Sequence, residues 1–425
     1  MERKIESFFR KWQKDIIRKP LILYGPKQIG KTFTTLAYGS KEYKNTIYFN
    51  TENNNQLLQL FTKEKSTEKL IVNLSLLSGE TILPEDTLII LDNLTSNEIV
   101  KGMKLFGSEH SKYHIIGITS NREKLNEFKG EELQFKAMTE MDFEEFLWAK
   151  DEKSLAELIK ESFAKHKTCP FHKVAQEMFE IYLTTGGMPE VIKASIDGRT
   201  QYELDAIKQK ILDVYKKEVA LNKVLIDITR GLEVIDSVPE QLKKENKKFQ
   251  YGQMGTGKRA KEYESAINFL VNNQLVYRSY KIKTIKSPLT SCREKDSFKL
   301  YVPDDGLLYT QLHLNYKQFI TDEKIKETLY ENHIAKTLVE AGYALYYYQS
   351  EGKAEVNFVV QNRMGQIIPI EITTKSNSKA KSLSVLMKKF TVPQAYRITE
   401  NNFSTKKDIR YIPIYAVFCL NDTKI

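Results

Sequence analysis

Cysteine is scarce in this 425-residue chain, and the three present, Cys169, Cys292 and Cys419, lie far apart with no metal-ligand spacing. A disulfide framework or a zinc module is therefore not expected, and a reducing cytoplasmic interior is the simplest setting. No uninterrupted apolar run is long enough to span a bilayer. The first residues, MERKIESFFRKWQKD, read as a charged amphipathic helix without a signal-peptide core, so no membrane partner is expected. Acidic charge is outweighed, with 55 Asp and Glu against 65 Lys and Arg, a formal +10. That balance favours an anionic partner only weakly, because a lysine-rich composition produces it without any nucleic acid. The length suits two or three domains.

What is present is organised around residues 21–37, LILYGPKQIGKTFTTLA. An apolar run precedes Gly25, four residues (Pro26, Lys27, Gln28 and Ile29) separate it from Gly30-Lys31-Thr32, and Phe33 opens a helical pattern. The spacing G-x-x-x-x-G-K-T is that of the phosphate-binding loop of nucleotide hydrolases. Its glycines let backbone N–H groups face an anion, and the helix N-terminus adds its positive dipole end. Lys31 is expected to reach the β- and γ-phosphates and the Thr32 hydroxyl to complete the shell of a Mg²⁺ ion, so the chain should bind ATP or GTP.

The second half of the expected site is TLIILDN at 87–93, an apolar strand ending in Asp92, which would hold Mg²⁺ at the C-terminal edge of the sheet. ATPases of the AAA and related classes usually have a glutamate next, as the base that activates water. Here the residue is Asn93, whose amide can orient water but cannot take its proton, and slow hydrolysis is expected. Further strands are expected at 45–50, 113–118 and 133–138, with a polar helical segment over 52–80. After 113–118, Ser120 or Asn121 is either a sensor of the γ-phosphate or a cap for a helix at 122–128. In the first helix Phe8, Phe9, Trp12 and Ile16 recur at helical spacing, and Trp12 reads as core before it reads as an adenine contact.

Residues 150–235 read as helices broken at Gly186-Gly187-Met188-Pro189. Over 236–320, helices at 237–246 and 258–273 precede strands at 275–283 and 297–302, the layout of a winged helix. Lys258, Arg259, Lys261, Arg278, Lys281, Lys283 and Lys286 would give it a basic face suited to phosphates, although such modules also hold protein partners. From 321 a helix at 324–341 carrying Glu331, strands at 344–349, 354–361 and 366–373, a helix at 378–389 and strands at 394–399 and 412–418 form the layout of a restriction-endonuclease-like core. The expected architecture is multidomain α/β: a P-loop ATPase sheet over 1–150, a helical lid over 151–235, a winged helix over 236–320 and a nuclease-like α/β domain over 321–425.

The sequence resembles the prokaryotic AAA-type ATPases, related to the signal-transduction ATPases, that carry a C-terminal nuclease-like domain of unassigned function. The likeness rests on RKPLILYGPKQIGKT at 18–32, YLTTGGMPEVI at 182–192, SFKLYVPDDGLLY at 297–309, and AEVNFVVQ, IIPIEIT and PIYAVF toward the C-terminus. It implies ATP as the nucleotide, in keeping with the absence of an Asn-Lys-x-Asp guanine reader, and places Pro189 near it through a Gly-x-Pro element. A nuclease of this fold needs an acid on its second strand and Glu-x-Lys on its third; the matching residues are Asn357, Glu371 and Thr373. Lys375 shares a strand face with Thr373 and is a candidate for rescue, with Glu331 a further ligand. The expected function is a slow ATPase used as a nucleotide-controlled switch, with a degenerate nuclease fold used for binding. An ATP-regulated DNA-binding or DNA-cleaving enzyme and an ATP-stabilised scaffold remain as alternatives. DNA, a protein partner and the oligomeric state stay open, and Arg230 and Arg259 are the candidates for an arginine finger.

Overall fold

The computed structural model describes residues 1–107, 112–128, 130–221, 227–350, 355–374 and 381–421. They divide into two compact units, Met1–Thr139 and Glu140–Ile425. The first contains α1 (Ile5–Gln13), β1 (Leu21–Tyr24), α2 (Lys31–Glu42), β2 (Asn45–Asn50), α3 (Asn55–Lys63), α4 (Thr67–Ser78), β3 (Thr87–Asp92), α5 (Asn97–Lys104), β4 (His114–Thr119) and β5 (Gln134–Ala137). All five strands pair in parallel, in the order β2-β3-β4-β1-β5.

β3 and β4 are buried along their whole length, as parallel strands covered on both faces must be. The register sets Tyr24 beside Thr119 and Ala137, and Asn50 beside Asp92. The strand ends that precede the phosphate loop and carry Asp92 therefore share one edge. Residues 52–80 are two helices rather than one polar segment. Leu57, Phe61, Leu70, Ile71 and Leu74 recur at helical intervals and pack with Ile99 and Met103 on the sheet. The helix expected at 122–128 is a short 3₁₀ turn, Glu123–Asn126. α1 ends at Gln13 and leaves Ile16 exposed, so its buried stripe is Ile5, Phe9 and Trp12.

The second unit holds α6 (Phe143–Ala149), α7 (Lys153–Lys165), α8 (His172–Thr185), α9 (Pro189–Ile196), α10 (Gln201–Leu221), α11 (Ile228–Leu242), α12 (Ala260–Asn272), β6 (Tyr277–Ile282), β7 (Arg293–Tyr301), α13 (Asp305–Gln311), α14 (Tyr316–Thr321), α15 (Glu323–Glu340), β8 (Leu345–Gln349), β9 (Glu355–Gln361), β10 (Ile367–Thr373), α16 (Lys381–Phe390), β11 (Ala395–Thr399), β12 (Ser404–Lys406) and β13 (Ile409–Pro413). Its eight strands form one mixed sheet in the order β12-β13-β11-β10-β9-β8-β6-β7. Here the structure departs from the expected division. β6 and β7 are the antiparallel hairpin the sequence announces, but β6 also pairs in parallel with β8, Ser279 beside Leu345, so the hairpin is the edge of the C-terminal sheet and not a separate winged helix. The expected boundary at 320 crosses an unbroken sheet, and the helices at 150–235 belong to the same compact unit. The strand expected at 412–418 stops at Pro413 and continues as a 3₁₀ helix, Ile414–Asn421.

Two segments that carry the family resemblance, 182–192 and 297–309, are stitched to each other and to α15 inside this unit. Asp304 accepts from the backbone N–H groups of Gly187 (2.6 Å) and Leu307 (2.9 Å). Asp305 accepts from Asn332 Nδ2 (2.9 Å) and lies 2.8 Å from His333 Nδ1, and Asn332 exchanges two hydrogen bonds with the Val302 backbone. α15 is buried from Thr328 to Leu338, so its polar residues have to find partners of this kind. Among the described residues no helix is long and apolar enough to cross a membrane.

Trp12 packs edge-on against His114, the first residue of β4 and so at the opposite end of the sheet from the phosphate loop, and its Nε1 donates to Lys19 O at 2.7 Å. It is a core residue. His114 Nδ1 lies 2.6 Å from the Tyr43 hydroxyl, and burial, reinforced by the Arg18 charge, lowers its pKa to about 3. An unfolded histidine titrates near about 6.5. The unfolded chain therefore binds the extra proton between these values, and the stability His114 contributes is present above pH about 6.5 and lost as pH falls. Followed by Trp12 fluorescence in a Trp148→Phe background, the wild type should lose stability from pH 7 to pH 5 faster than His114→Gln, by at most about 1.4 kcal/mol per pH unit. Parallel pH profiles would contradict this.

Candidate nucleotide-binding site

The phosphate loop leaves β1 at Gly25, whose N–H donates to Thr119 O at 3.3 Å. A Cβ on Gly25 would sit 2.1 Å from Met138 O, so only glycine lets the chain turn this close to the exit of β5. Gly30 is left-handed (φ 87°, ψ 19°) and is followed directly by the first turn of α2. Between them run Pro26, Lys27, Gln28 (φ 66°) and Ile29, the last fully buried. Lys31 is buried, and its Nζ donates to Gly25 O (2.9 Å) and Pro26 O (2.6 Å), which holds the ammonium over the loop. Phe33 is exposed on the first turn of α2.

Thr32 Oγ1 donates to Asp92 Oδ2 at 2.7 Å, so the two residues expected to share Mg²⁺ are in direct contact. The Tyr48 hydroxyl donates to the same oxygen at 3.0 Å, and the Asn93 N–H donates to Asp92 Oδ1 at 2.8 Å. Partial burial and the Asp92 carboxylate push the Tyr48 hydroxyl up to about 12, so it remains a donor. A hydroxyl and a carboxylate at one sheet edge form a hard-oxygen set that suits Mg²⁺. Together with the glycine-walled cradle, they fit a Mg²⁺-bound nucleoside polyphosphate. Asn93 is left-handed (φ 57°), its Nδ2 donates to Asn50 Oδ1 at 3.1 Å, and its carbonyl accepts from Thr51 Oγ1 at 2.9 Å.

Ser120 is half-buried at the end of β4, on the same edge. Asn121 is a capping residue, its Oδ1 accepting from Lys124 N at 3.2 Å. Pro189 lies in the second unit, at the first turn of α9. Tyr48, Asn50 and Arg3, whose guanidinium reaches Ile29 O, were not singled out in the sequence. Alternation along β2 puts Tyr48 and Asn50 on one face and could have flagged them. Nothing local flags Arg3.

In the second unit, Asn357 Nδ2 donates to Glu331 Oε2 at 3.1 Å. Glu331 is also held by Lys247 Nζ (2.8 Å), Lys299 Nζ (3.0 Å) and the Tyr301 hydroxyl (2.7 Å). Burial alone would raise the Glu331 pKa, but Lys247 and Lys299 outweigh it and hold the carboxyl well below its ordinary range. Lys299 also pairs with Glu355. Glu371 does not join this cluster; Arg397 Nε takes it at 2.8 Å. Thr373 lines a cavity of about 500 Å³ with Lys243, Lys244, Lys247 and Lys324. Lys375 lies outside the described residues. Among the described residues, no group of three or more His, Cys, Asp or Glu could hold a metal ion.

The basic face expected around α12 and the hairpin is engaged internally at three of its seven residues. Lys258 pairs with Glu233 (3.0 Å) and Lys281 with Glu294 (3.6 Å), while Arg278 donates to Asn268 and lies on the Tyr280 ring. Arg230 pairs with Asp227 (3.6 Å) and Glu262 (3.9 Å). Arg259, Lys261, Lys283 and Lys286 are exposed.

Residues 17–147 match the AAA domain family, 176–318 a Domain of unknown function (DUF8612), and 326–417 a further Domain of unknown function (DUF4143). No curated protein matches the chain. Similar solved structures include the Walker-type ATPase PABY2304 of Pyrococcus abyssi, 14% identical over 73% of this chain and 95% of that one (TM-score 0.39). Drosophila ORC bound to DNA is 12% identical over 73% and 95% (TM-score 0.25), and the Thermotoga maritima RuvB Holliday junction branch migration motor is 11% identical over 64% and 89% (TM-score 0.28). The AAA match covers the loop, Asp92 and Asn93 together, so the first unit carries an AAA-type ATPase domain, a class that binds ATP.

The acid cluster supplies its own test. With its folded pKa depressed, Glu331 contributes stability above its unfolded pKa of about 4.3, and this is lost as pH falls through the folded value. Glu331→Gln leaves Lys247 and Lys299 buried against a neutral amide and should cost about 3–5 kcal/mol at pH 7. The gap between wild type and variant, read from thermal unfolding, should narrow below pH about 4.3. A gap that is absent at pH 7, or that does not change with pH, would show that the cluster does not hold the fold.

Proposed function

We propose that the chain is a Mg²⁺-dependent ATP-binding switch with slow hydrolysis, whose output is carried by the second unit. The observation that carries this reading is Asn93, which follows the Asp92 that meets Thr32 and turns its amide onto Asn50. Thr32 Oγ1 and the Asp92 carboxylate would hold Mg²⁺, which when bound neutralises charge on the β- and γ-phosphate oxygens. The loop N–H groups and the Lys31 ammonium bind and orient the polyphosphate. Tyr48 and the Asn93 N–H fix the Asp92 carboxylate. The Asn93 amide orients water and takes no proton, so the bound state persists long enough to be read.

The nuclease-like reading of the C-terminal region rests on the order α15, β8, β9, β10, α16, β11. A binding role for that region, and not cleavage, is supported by the two lysines that take up the oxygens of Glu331 and by the turn of Glu371 onto Arg397. The three free cysteines suit a reducing cytoplasm.

Steady-state hydrolysis with Mg²⁺ tests the switch. Lys31→Ala should bind ATP at least about tenfold more weakly, having lost a charge-assisted phosphate contact. Asn93→Glu should turn over faster than the wild type by about a hundredfold, the lower end of the gain from a positioned base. A fast wild type that Asn93→Glu leaves unchanged would end the slow-switch reading.

A further inference from the structure

Arg3 lies ahead of α1 and is only 5% exposed. Its Nη1 donates to Ile29 O at 2.9 Å and its Nη2 to Thr139 O at 2.7 Å. Ile29 is the last loop residue before Gly30, and Thr139 follows Met138, whose carbonyl oxygen walls Gly25. One guanidinium thus ties the far end of the loop to the wall of its near end.

In a trans peptide the C=O and the following N–H point in opposite directions. A donor that grips Ile29 O from behind therefore turns the Gly30 N–H away from itself, toward the concave side where the loop's amides converge on phosphate. Glycine at φ 87° does not fix that peptide plane by its own sterics, so an outside grip has something to decide. Arginine suits the task because its planar fork serves two carbonyls at once, whereas an ammonium is a point donor.

We infer that Arg3 is a positioning residue for phosphate binding: by holding the Ile29 and Thr139 carbonyls it presets the Gly30 N–H and the width of the loop. This rests on the ATP-binding reading above. The plainer alternative is that Arg3 only anchors α1, and Phe9, buried on the same helix, provides the control.

The test measures dissociation constants for fluorescent ATP and ADP analogues with Mg²⁺, alongside melting temperature, in the full-length wild type, Arg3→Ala, Arg3→Lys and Phe9→Leu. Arg3→Ala should weaken both nucleotides by the same factor, about tenfold or more, since two carbonyl contacts of a charged donor are lost and the loop amides serve phosphates common to both. Arg3→Lys should fall between. Phe9→Leu should lower the melting temperature and leave both constants within about twofold of wild type, because the hydrogen bonds of Arg3 remain in place. Wild-type affinity in Arg3→Ala, or an equal loss in Phe9→Leu at a comparable melting temperature, overturns the inference while the ATP reading stands. If Arg3→Ala does not fold, Arg3→Lys decides: wild-type affinity there overturns the inference and a weakened affinity supports it. A folded wild type that binds neither nucleotide overturns the ATP reading and this inference with it.

Discussion

A carboxylate buried at the end of a parallel strand needs donors, and the way Asp92 finds them organises the first unit. Thr32 comes from the loop after β1, Tyr48 from β2 and the Asn93 N–H from the turn after β3. Three strand ends are thereby set around one pair of oxygens. Thr32 can serve only if α2 begins directly after Gly30, and this requires the left-handed conformation at Gly30. The glycine, the threonine, the aspartate and the strand order thus form a single geometric condition, and the loop's spacing in the sequence is its imprint.

That imprint is why the first unit is legible from sequence. β1, β3 and β4 are short apolar runs bounded by turn signals, and parallel strands buried on both faces read that way. Gly25, Lys31, Thr32 and Asp92 are therefore found where their order in the chain suggests. Tyr48 and Arg3 were not legible, for different physical reasons. Tyr48 is one of several aromatic residues in alternating strands, and only the parallel register of β2 with β3 turns it toward Asp92. Arg3 acts across the whole length of the unit, with partners that are backbone carbonyls, which leave no residue type to recognise. The second unit shows the same limit at larger scale. The hairpin of β6 and β7 was visible as a local pattern, but its pairing with β8 depends on an edge that no local feature announces.

The Glu331 cluster of the second unit is satisfied by charge pairing inside the fold. Glu331 and Asn357 meet, yet the charges around them are ammonium groups. A lysine needs no open coordination position and satisfies a carboxylate oxygen by itself, so a site built this way is closed electrostatically. Glu371 is closed separately by Arg397. Lys258 and Lys281 are likewise paired, with Glu233 and Glu294, as Lys247 is with Glu331. The formal +10 is therefore a poor guide to any anion-binding face, because a pair inside the fold removes a cation from the surface without changing the sum.

Asn93 admits a purely conformational explanation that has to be weighed against the catalytic one. At φ 57° the backbone is left-handed, where asparagine is enriched and other side chains are strained. The strain of placing glutamate there is about 1–2 kcal/mol. The base it would supply is worth about 10²–10⁴ in rate, or roughly 3–5 kcal/mol of barrier. The conformational preference is thus smaller than the catalytic advantage forgone, and a chain selected for turnover would have reason to bear the strain. Backbone geometry makes asparagine comfortable at this position, but it does not account for the missing base. The proposed slow hydrolysis would account for it, and the hydrogen bond from Asn93 to Asn50 adds the reason the amide stays where it is.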